Sequence, residues 1–198
     1  MARMASQVPE PPADLYSRPL PLETLSLGRV VYRLHATAMG PKFFGKTGNW
    51  RFDSPNKDYG TLYAAMSEQA CFVETLLRGL NSFVAQSELD IRSLCSFRVI
   101  REIRLVRAYG PHLNSVGASS VVTSTSDYEV CQRWSQKFHS HPDAPDGILY
   151  RSNYDNDELA LVLFNRAEAA IDAGSSKPIM SDTGLLGKIL NRYKASIR

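Results

Sequence analysis

Two arginines, a glutamate and a serine are the side chains of this 198-residue chain whose types could carry out chemistry together. They are Arg33, Arg51, Glu74 and Ser152, and each lies in a short segment with the pattern of a strand, a strand edge or a helix. A guanidinium group engages two phosphate oxygens at once, while a carboxylate can stabilise positive charge and accept a proton. The set therefore predicts cleavage of a nucleotide that carries a pyrophosphate.

Contiguous nucleotide-binding motifs do not occur in the sequence. It contains neither a glycine-rich phosphate loop followed by lysine nor a Gly-x-Gly-x-x-Gly pattern. A dinucleotide would therefore have to be bound by side chains that come from separate parts of the chain.

The elements that carry the two arginines follow from local patterns. Val30 to His35 alternates as a strand does, which places Arg33 within it. Pro41 to Lys57 is rich in glycine, lysine, asparagine and aromatic residues, so we expect a structured loop around Arg51. Thr61 to Ala65 is predicted to be a second strand.

Glu74 is predicted to lie on a helix. Ser67 is a suitable N-cap and Gly79 a suitable stop, so the helix should run to about Arg78. Glu74 would share the apolar face of that helix with Ala70. A carboxylate on that face must be paired, hydrogen-bonded or open to a cleft, because burying it alone is costly.

The remaining elements complete a mixed pattern. Ser126 to Glu129 is a capping box for a helix that buries Trp134, and another helix begins near Asp182. The further strands are predicted at Glu102 to Val106, Gly147 to Tyr150, which ends just before Ser152, and Leu159 to Asn165. This order favours a single α+β domain with a mixed or antiparallel sheet over a doubly wound parallel sheet.

The N-terminal segment has a different composition. Five prolines between Val8 and Leu22 exclude a helix or a central strand there. We therefore divide the chain into a proline-rich arm, residues 1–26, and a catalytic domain, residues 27–198, with the folded core beginning near Leu27. The opening residues lack the hydrophobic stretch of a secretion signal.

Composition indicates an ordinary globular protein, with 43% hydrophobic and 22% charged residues. No apolar run is long enough for a membrane span. Cys71, Cys95 and Cys131 lack paired spacing, so we interpret them as buried thiols of a reducing compartment, and we expect the cytoplasm.

Local basicity offers a competing interpretation. Arg98, Arg101, Arg104 and Arg107 recur every three residues, and helical periodicity would gather them whereas strand periodicity would divide them between two faces. A solvated row is the favoured interpretation, and a net charge of +3 does not by itself imply nucleic-acid binding. We therefore expect no direct nucleic-acid partner.

Several segments in order resemble the blocks of the RES domain family, which is named for an arginine, a glutamate and a serine. The matching segments are Val31-Tyr32-Arg33-Leu34, Trp50-Arg51-Phe52, Leu62-Tyr63-Ala64 leading to Ala70 and Glu74, Gln132-x-Trp134, and Asp146 to Ser152. The resemblance covers roughly Gly28 to Arg166, which is most of the chain.

This resemblance implies a toxin of a bacterial toxin–antitoxin pair whose partner is an Xre-type helix-turn-helix antitoxin. It also implies a fold related to ADP-ribosyltransferase toxins and the destruction of cellular NAD, which would be a substrate and not a cofactor. The matching blocks make Glu74, Arg51 and Arg33 the catalytic residues. Arg33, Arg51, Tyr63 and Ser152 would bind the substrate, with Tyr63 beside the nicotinamide ring and Ser152 hydrogen-bonded to its amide or to the ribose.

Three functions are compatible with the sequence. The favoured one is an NAD glycohydrolase or NAD phosphorylase that cuts the nicotinamide–ribose bond, with water or phosphate as acceptor. The alternatives are an ADP-ribosyltransferase that modifies a protein or nucleic acid, and a non-catalytic nucleotide-binding or interaction module. We expect no metal site, since the two histidines of His139-x-His141, just before Pro142, have no nearby acid–histidine set and make a weak site. The stripe from Leu185 to Tyr193 should pack on the core, and a homo-oligomer interface is its alternative.

Overall fold

The computed structural model describes residues 8–78 and 82–198, and eight of its strands form a single sheet. The strand order is β1-β6-β7-β8-β3-β2-β5-β9, and every neighbouring pair is antiparallel except β6 and β7. These strands are β1 (Leu22–Leu25), β2 (Val30–Ala36), β3 (Thr61–Ala65), β5 (Arg92–Val99), β6 (Ile103–Ala108), β7 (Gly147–Arg151), β8 (Leu159–Phe164) and β9 (Ile171–Pro178). The short strands β4 (Phe83–Val84) and β10 (Ser196–Ile197) pair with each other in parallel. This mixed sheet confirms the predicted α+β class.

Helices pack on the sheet around two apolar clusters. They are α1 (Glu68–Leu76), α2 (Gln86–Asp90), α3 (Val121–Ser124), α4 (Tyr128–His139) and α5 (Thr183–Arg192). The parallel β6–β7 pair needs a crossover, and the chain uses it to place α3 and α4 on one face. No helix among the described residues is long and apolar enough to cross a membrane.

The core follows the alternation of the strands. Ile148 and Tyr150 of β7 point to the α4 side and pack with Trp134, while Leu149 between them points to the other side. Helices α1 and α5 bury a further apolar cluster against strands β2, β3 and β5. That cluster includes Leu186, so the stripe of the last helix packs on the core, as predicted.

The three cysteines, Cys71, Cys95 and Cys131, are buried and unpaired with one another.

Two predicted helix starts are found, because Ser67 caps α1 and Asp182 caps α5 through their side chains. At α4 the prediction was off by one residue: Asp127, and not Ser126, accepts from the backbone of Val130. Helix α1 ends at Leu76, and the predicted stop at Gly79 lies outside the described residues.

The sheet begins earlier than the sequence predicts. Leu22–Leu25 lies in the segment interpreted as an arm, yet it pairs with Ile103–Val106 as edge strand β1. The prolines precede this strand, and an edge strand needs hydrogen bonds on one side only, so proline density did not exclude it. Leu15, Leu20 and Leu25 are buried, which places the start of the folded core before Leu27.

The residues before β1 lie along α4. Trp134 donates its indole N–H to the carbonyl of Pro9 at 2.7 Å, and Arg133 pairs with Glu10 at 2.7 Å. His141 contacts the carbonyl oxygen of Leu15 at 3.1 Å. These contacts attach the proline-rich segment to α4 and to the residues that follow it.

Candidate active site

A cleft of about 870 Å³, including its open mouth, contains four of the five residues predicted from the sequence. Arg33, Arg51, Tyr63 and Glu74 line it together, although they come from β2, a loop, β3 and α1. The other lining residues are Leu34, Trp50, Ala64, Cys71, Thr75, Arg78, Tyr128, Tyr150 and Tyr154.

Arg33 lies on β2 at the inner part of the cleft. Its guanidinium donates to the carbonyl oxygen of Phe43 at 3.3 Å, and burial lowers its pKa to about 10, so it remains charged at neutral pH. None of the ion pairs between described residues includes Arg33. A charge removed from water without a carboxylate partner is unfavourable until an anion binds.

Arg51 lies in the loop between β2 and β3. Its guanidinium donates to the carbonyl oxygen of Thr125, contacts the sulfur of Cys131 at 3.8 Å and lies 4.9 Å from the centre of the Tyr128 ring. These partners are neutral, and none of the ion pairs between described residues includes Arg51 either. The group is therefore oriented without being neutralised.

The buried carboxylate of Asp53 organises this loop. One oxygen accepts from the hydroxyl of Thr61 at 2.7 Å and from that of Tyr63 at 3.2 Å. The other accepts from the hydroxyl of Thr47 at 2.7 Å and from the backbone of Asn49 and Trp50, each at 3.2 Å. Sequence reasoning missed Asp53. Its position two residues after Arg51, in a loop rich in glycine and aromatic residues, could have indicated it.

Helix α4 holds the same loop from the other side. The amide of Gln132 donates to the carbonyl oxygens of Gly48 and Trp50 at 2.9 and 3.0 Å. Ser135 donates to the carbonyl oxygen of Phe52 at 2.7 Å. The residues on both sides of Arg51 are thus fixed through their backbones, so the arginine projects from a rigid support.

Tyr63 reaches the cleft from β3. Its hydroxyl donates to Asp53 and accepts from the backbone N–H of Phe52 at 2.9 Å. Burial, and then the nearby charge of Asp53, raise the pKa of Tyr63 well above its usual range, so the phenol stays protonated. Its ring, not its hydroxyl, is the part available to a ligand.

Glu74 and Ser152 form a pair at the end of β7. The hydroxyl of Ser152 donates to Oε1 of Glu74 at 2.6 Å, and the backbone N–H of Asn153 donates to the same oxygen at 3.2 Å. Ser152 also accepts from the backbone of Tyr154 at 3.1 Å and of Asp155 at 3.2 Å.

This geometry differs from the expectation that Ser152 binds the substrate directly. The side chain is 1% exposed and does not line the cleft. Because its two acceptor positions are taken by backbone N–H groups, its proton points to Glu74. Ser152 therefore acts on the cleft through Glu74, by holding one carboxylate oxygen and leaving the other towards the ligand space.

Two further cleft residues were missed by sequence reasoning. Arg78 follows Glu74 by one helical turn, donates to its backbone carbonyl and lies 5.2 Å from the centre of the Trp50 ring. Trp50 immediately precedes Arg51 and is 47% exposed. Both could have been found in the sequence, because Arg78 is the i+4 neighbour of Glu74 and Trp50 is an aromatic residue within a matched block.

The cleft is therefore cationic. The described residues of its lining supply three guanidinium groups, those of Arg33, Arg51 and Arg78, and one carboxylate, that of Glu74. Such a balance suits a ligand with at least two negative charges, and the planar guanidinium matches phosphate oxygens.

The other candidate residues lie elsewhere. Arg98 and Arg104 are exposed on strands, Arg101 pairs with Asp146 at 2.9 Å, and Arg107 stacks on Tyr109, so the arginine row does not form one stripe. The ring of His139 stacks on Tyr59 at 3.9 Å. Within residues 8–78 and 82–198, no cluster of histidine, cysteine and acidic side chains has the arrangement of a metal site.

Comparisons with known proteins agree with the matched blocks. The model of the RES domain matches residues 29–182. A curated protein of Sinorhizobium fredii (strain NBRC 101917 / NGR234), "Probable toxin y4kH", is 31% identical over 72 residues, which are 36% of this chain and 56% of that protein. The chain thus spans about half the length of the curated relative it matches.

A solved structure has a similar fold. A chain in the crystal structure of the M. tuberculosis MbcT–MbcA toxin–antitoxin complex superposes with a TM-score of 0.62 at 18% identity. The alignment covers 79% of this chain and 86% of that one.

Proposed function

This chain belongs to the RES domain family, and from this membership and the cleft we propose that it is an NAD-degrading enzyme and the toxin of a type II toxin–antitoxin pair. The reaction is cleavage of the bond between nicotinamide and ribose. The observation that carries the proposal is the cleft itself, which, among the described residues, is lined by three guanidinium groups and one carboxylate.

The chemistry needs few groups. When the C1′–N bond of the ribose breaks, its electron pair leaves with nicotinamide, which becomes a neutral pyridine, and positive charge develops at the sugar. An acceptor oxygen then bonds to C1′ and loses its proton. The enzyme must hold the dinucleotide, stabilise the positive sugar and orient the acceptor.

Each cleft residue has a role in this scheme. Arg33 and Arg51 bind the pyrophosphate, and the ring of Tyr63 lies beside nicotinamide. Glu74 stabilises the positive sugar and accepts the proton of the attacking water, or a hydrogen bond from a ribose hydroxyl. Ser152 keeps Glu74 in position through the 2.6 Å hydrogen bond.

The toxin role draws on the relatives. The curated relative is called a probable toxin, and the structural relative comes from a toxin–antitoxin complex. We propose that an antitoxin of the Xre type binds this chain. Expression of the chain alone in bacteria should stop growth and deplete NAD, and co-expression of the antitoxin gene should restore both; growth at a normal rate with an unchanged NAD pool would reject the toxin role.

The direct test is product analysis. Purified protein is incubated with NAD, with and without inorganic phosphate, and the products are identified by mass. Release of nicotinamide with ADP-ribose indicates hydrolysis, and release with ADP-ribose 1″-phosphate indicates phosphorolysis. Failure to release nicotinamide under either condition, from protein shown to be folded by circular dichroism, would refute the activity.

A further inference from the structure

Trp50 is exposed in a way that packing alone does not explain. The residue is 47% exposed and lines the cleft, yet its backbone is held on both sides. Its N–H donates to Asp53 at 3.2 Å, and its carbonyl oxygen accepts from Gln132 at 3.0 Å. A large aromatic side chain left in water on a rigid backbone is typical of a ligand-binding surface.

Arg78 is the third cation of the cleft and the most exposed of them. Its side chain is fixed by the hydrogen bond to the carbonyl oxygen of Glu74 and by the face of Trp50, 5.2 Å away. None of the ion pairs between described residues includes it. Arg78 is thus a positioned positive charge next to a flat aromatic surface.

Trp50 and Arg78 are more exposed than the other site residues. Arg33 and Tyr63 are partly buried at the inner part of the cleft, whereas Arg78 and Trp50 are exposed at its mouth. A dinucleotide whose nicotinamide ribose reaches Glu74 must extend its other half towards the mouth. An aromatic ring with an adjacent guanidinium matches the chemistry of a base and a phosphate.

We propose that Trp50 and Arg78 form an outer subsite that binds the adenosine phosphate half of the dinucleotide, with the purine on the Trp50 ring and the phosphate on Arg78. This inference rests on the proposed function for its choice of ligand. Stacking tolerates any base, so the subsite recognises the phosphate more strictly than the purine.

Binding of ADP, which contains the adenosine and pyrophosphate but no nicotinamide, tests the subsite without any turnover. Calorimetry on the full chain should give a Kd for ADP that rises about tenfold in Arg78→Ala, the usual cost of a lost charge-assisted hydrogen bond. Arg78→Lys should recover part of the affinity. Arg104→Ala removes an exposed arginine outside the cleft and serves as the matched control, with an unchanged Kd.

Trp50 provides its own readout. The chain has two tryptophans, and Trp134 is fully buried, so a change in tryptophan fluorescence on adding ADP reports Trp50. Trp50→Phe keeps a stacking face and should retain most of the affinity, while Trp50→Ala should weaken binding about tenfold. If Trp50→Ala does not fold, Arg78→Ala with the fluorescence change decides the question.

The outcome separates this inference from the proposed activity. If the chain releases nicotinamide from NAD but Arg78→Ala binds ADP as well as the unaltered chain does, the subsite is refuted and the activity stands. If ADP binding depends on Arg78 and Trp50 but no nicotinamide is released, the activity is refuted and the subsite stands. Nicotinamide riboside, which lacks phosphate, should bind the Arg78→Ala variant and the unaltered chain equally.

Discussion

Arginines of the cleft and arginines of the outer surface differ in how often they pair with carboxylates. Outside the cleft, several arginines form such pairs, as in Arg18–Asp14, Arg92–Glu88, Arg101–Asp146, Arg133–Glu10 and Arg192–Asp155, whereas Arg151 and Arg166 are held by a backbone carbonyl oxygen and an aromatic ring. Inside it, Arg33, Arg51 and Arg78 are held by backbone carbonyl oxygens and aromatic rings. Within residues 8–78 and 82–198, the cleft arginines are set apart because all three lie without an ion pair around one shared space, where their positive charge is available to a ligand.

The carboxylate of the cleft, like its arginines, is held by neutral groups. Glu74 lies near several arginines, yet its hydrogen bonds come from the hydroxyl of Ser152 and the backbone of Asn153. Neutral donors fix the carboxylate without neutralising a guanidinium. The cleft therefore keeps both signs of charge available to a ligand.

Removing the cleft carboxylate should have the largest effect. Glu74→Gln keeps the shape and can still accept the hydrogen bond from Ser152, so the protein should fold. The turnover rate for nicotinamide release should fall by at least about a thousandfold, whereas the affinity for NAD should be unchanged or higher because the cleft becomes wholly cationic. Steady-state kinetics and calorimetry measure the two quantities, and near-normal turnover would remove Glu74 from the mechanism.

The Ser152→Ala variant tests whether a neutral hydrogen-bond donor positions Glu74. It removes the 2.6 Å hydrogen bond to Glu74 but no group that lines the cleft. Turnover should fall about 10- to 100-fold with little change in the affinity for NAD. Ser152→Thr keeps the hydroxyl and should restore part of the rate. A weaker affinity for NAD at a normal rate would instead assign Ser152 to substrate binding, as the sequence first suggested.

A pair of stability measurements tests the comparison of arginines directly. Arg33→Met should raise the free energy of unfolding of the ligand-free protein by about 1 kcal/mol, because it removes a half-buried charge without a carboxylate partner, while activity is lost. Arg101→Met should lower it by about 1 kcal/mol, because Asp146 is buried and loses its ion pair. Urea unfolding of both variants gives the two signs, and a destabilised Arg33→Met protein would contradict the argument.

The smallest expected effect is the pH dependence of stability that comes from His139, which lies outside the cleft. Burial, and then the charge of Arg166, lower the pKa of His139 to about 4. Since an unfolded histidine titrates near 6.5, the unfolded state binds more protons between these values. Stability should therefore fall by about 1 kcal/mol as the pH is lowered from 7 to 5. His139→Phe, which can keep the stack on Tyr59, should show a smaller fall in urea unfolding at the two pH values, whereas an identical fall would rule out His139 as the source.

The predictable part of the fold is the part with strong periodicity. Strands β2, β3, β6, β7 and β8 and helices α1, α4 and α5 were recognisable because their apolar residues repeat with the period of the element or, as in β8, form one continuous run. Strand β9 was not, since Ile171–Pro178 is small, polar and exposed, and its pairing with β5 depends on the backbone. Helix α2 is five residues long, too short for a periodic signal.

The site was predictable as a set of residues and less so as a set of roles. Matched blocks brought Arg33, Arg51, Tyr63 and Glu74 into one list, and the structure places them in one cleft. The role of Ser152 could not be predicted, because it depends on two backbone N–H groups that donate to its hydroxyl oxygen. Only tertiary structure decides which way such a proton points.

Helix α4 has a second consequence for the protein as a whole. It holds the loop of Arg51 through Gln132 and Ser135, and its Trp134 and Arg133 bind Pro9 and Glu10. The segment from Val8 to Glu10 thus supports the helix behind the Arg51 loop, although none of these residues lines the cleft. Relatives that keep the reactive groups but lose this segment must stabilise the same helix by other means.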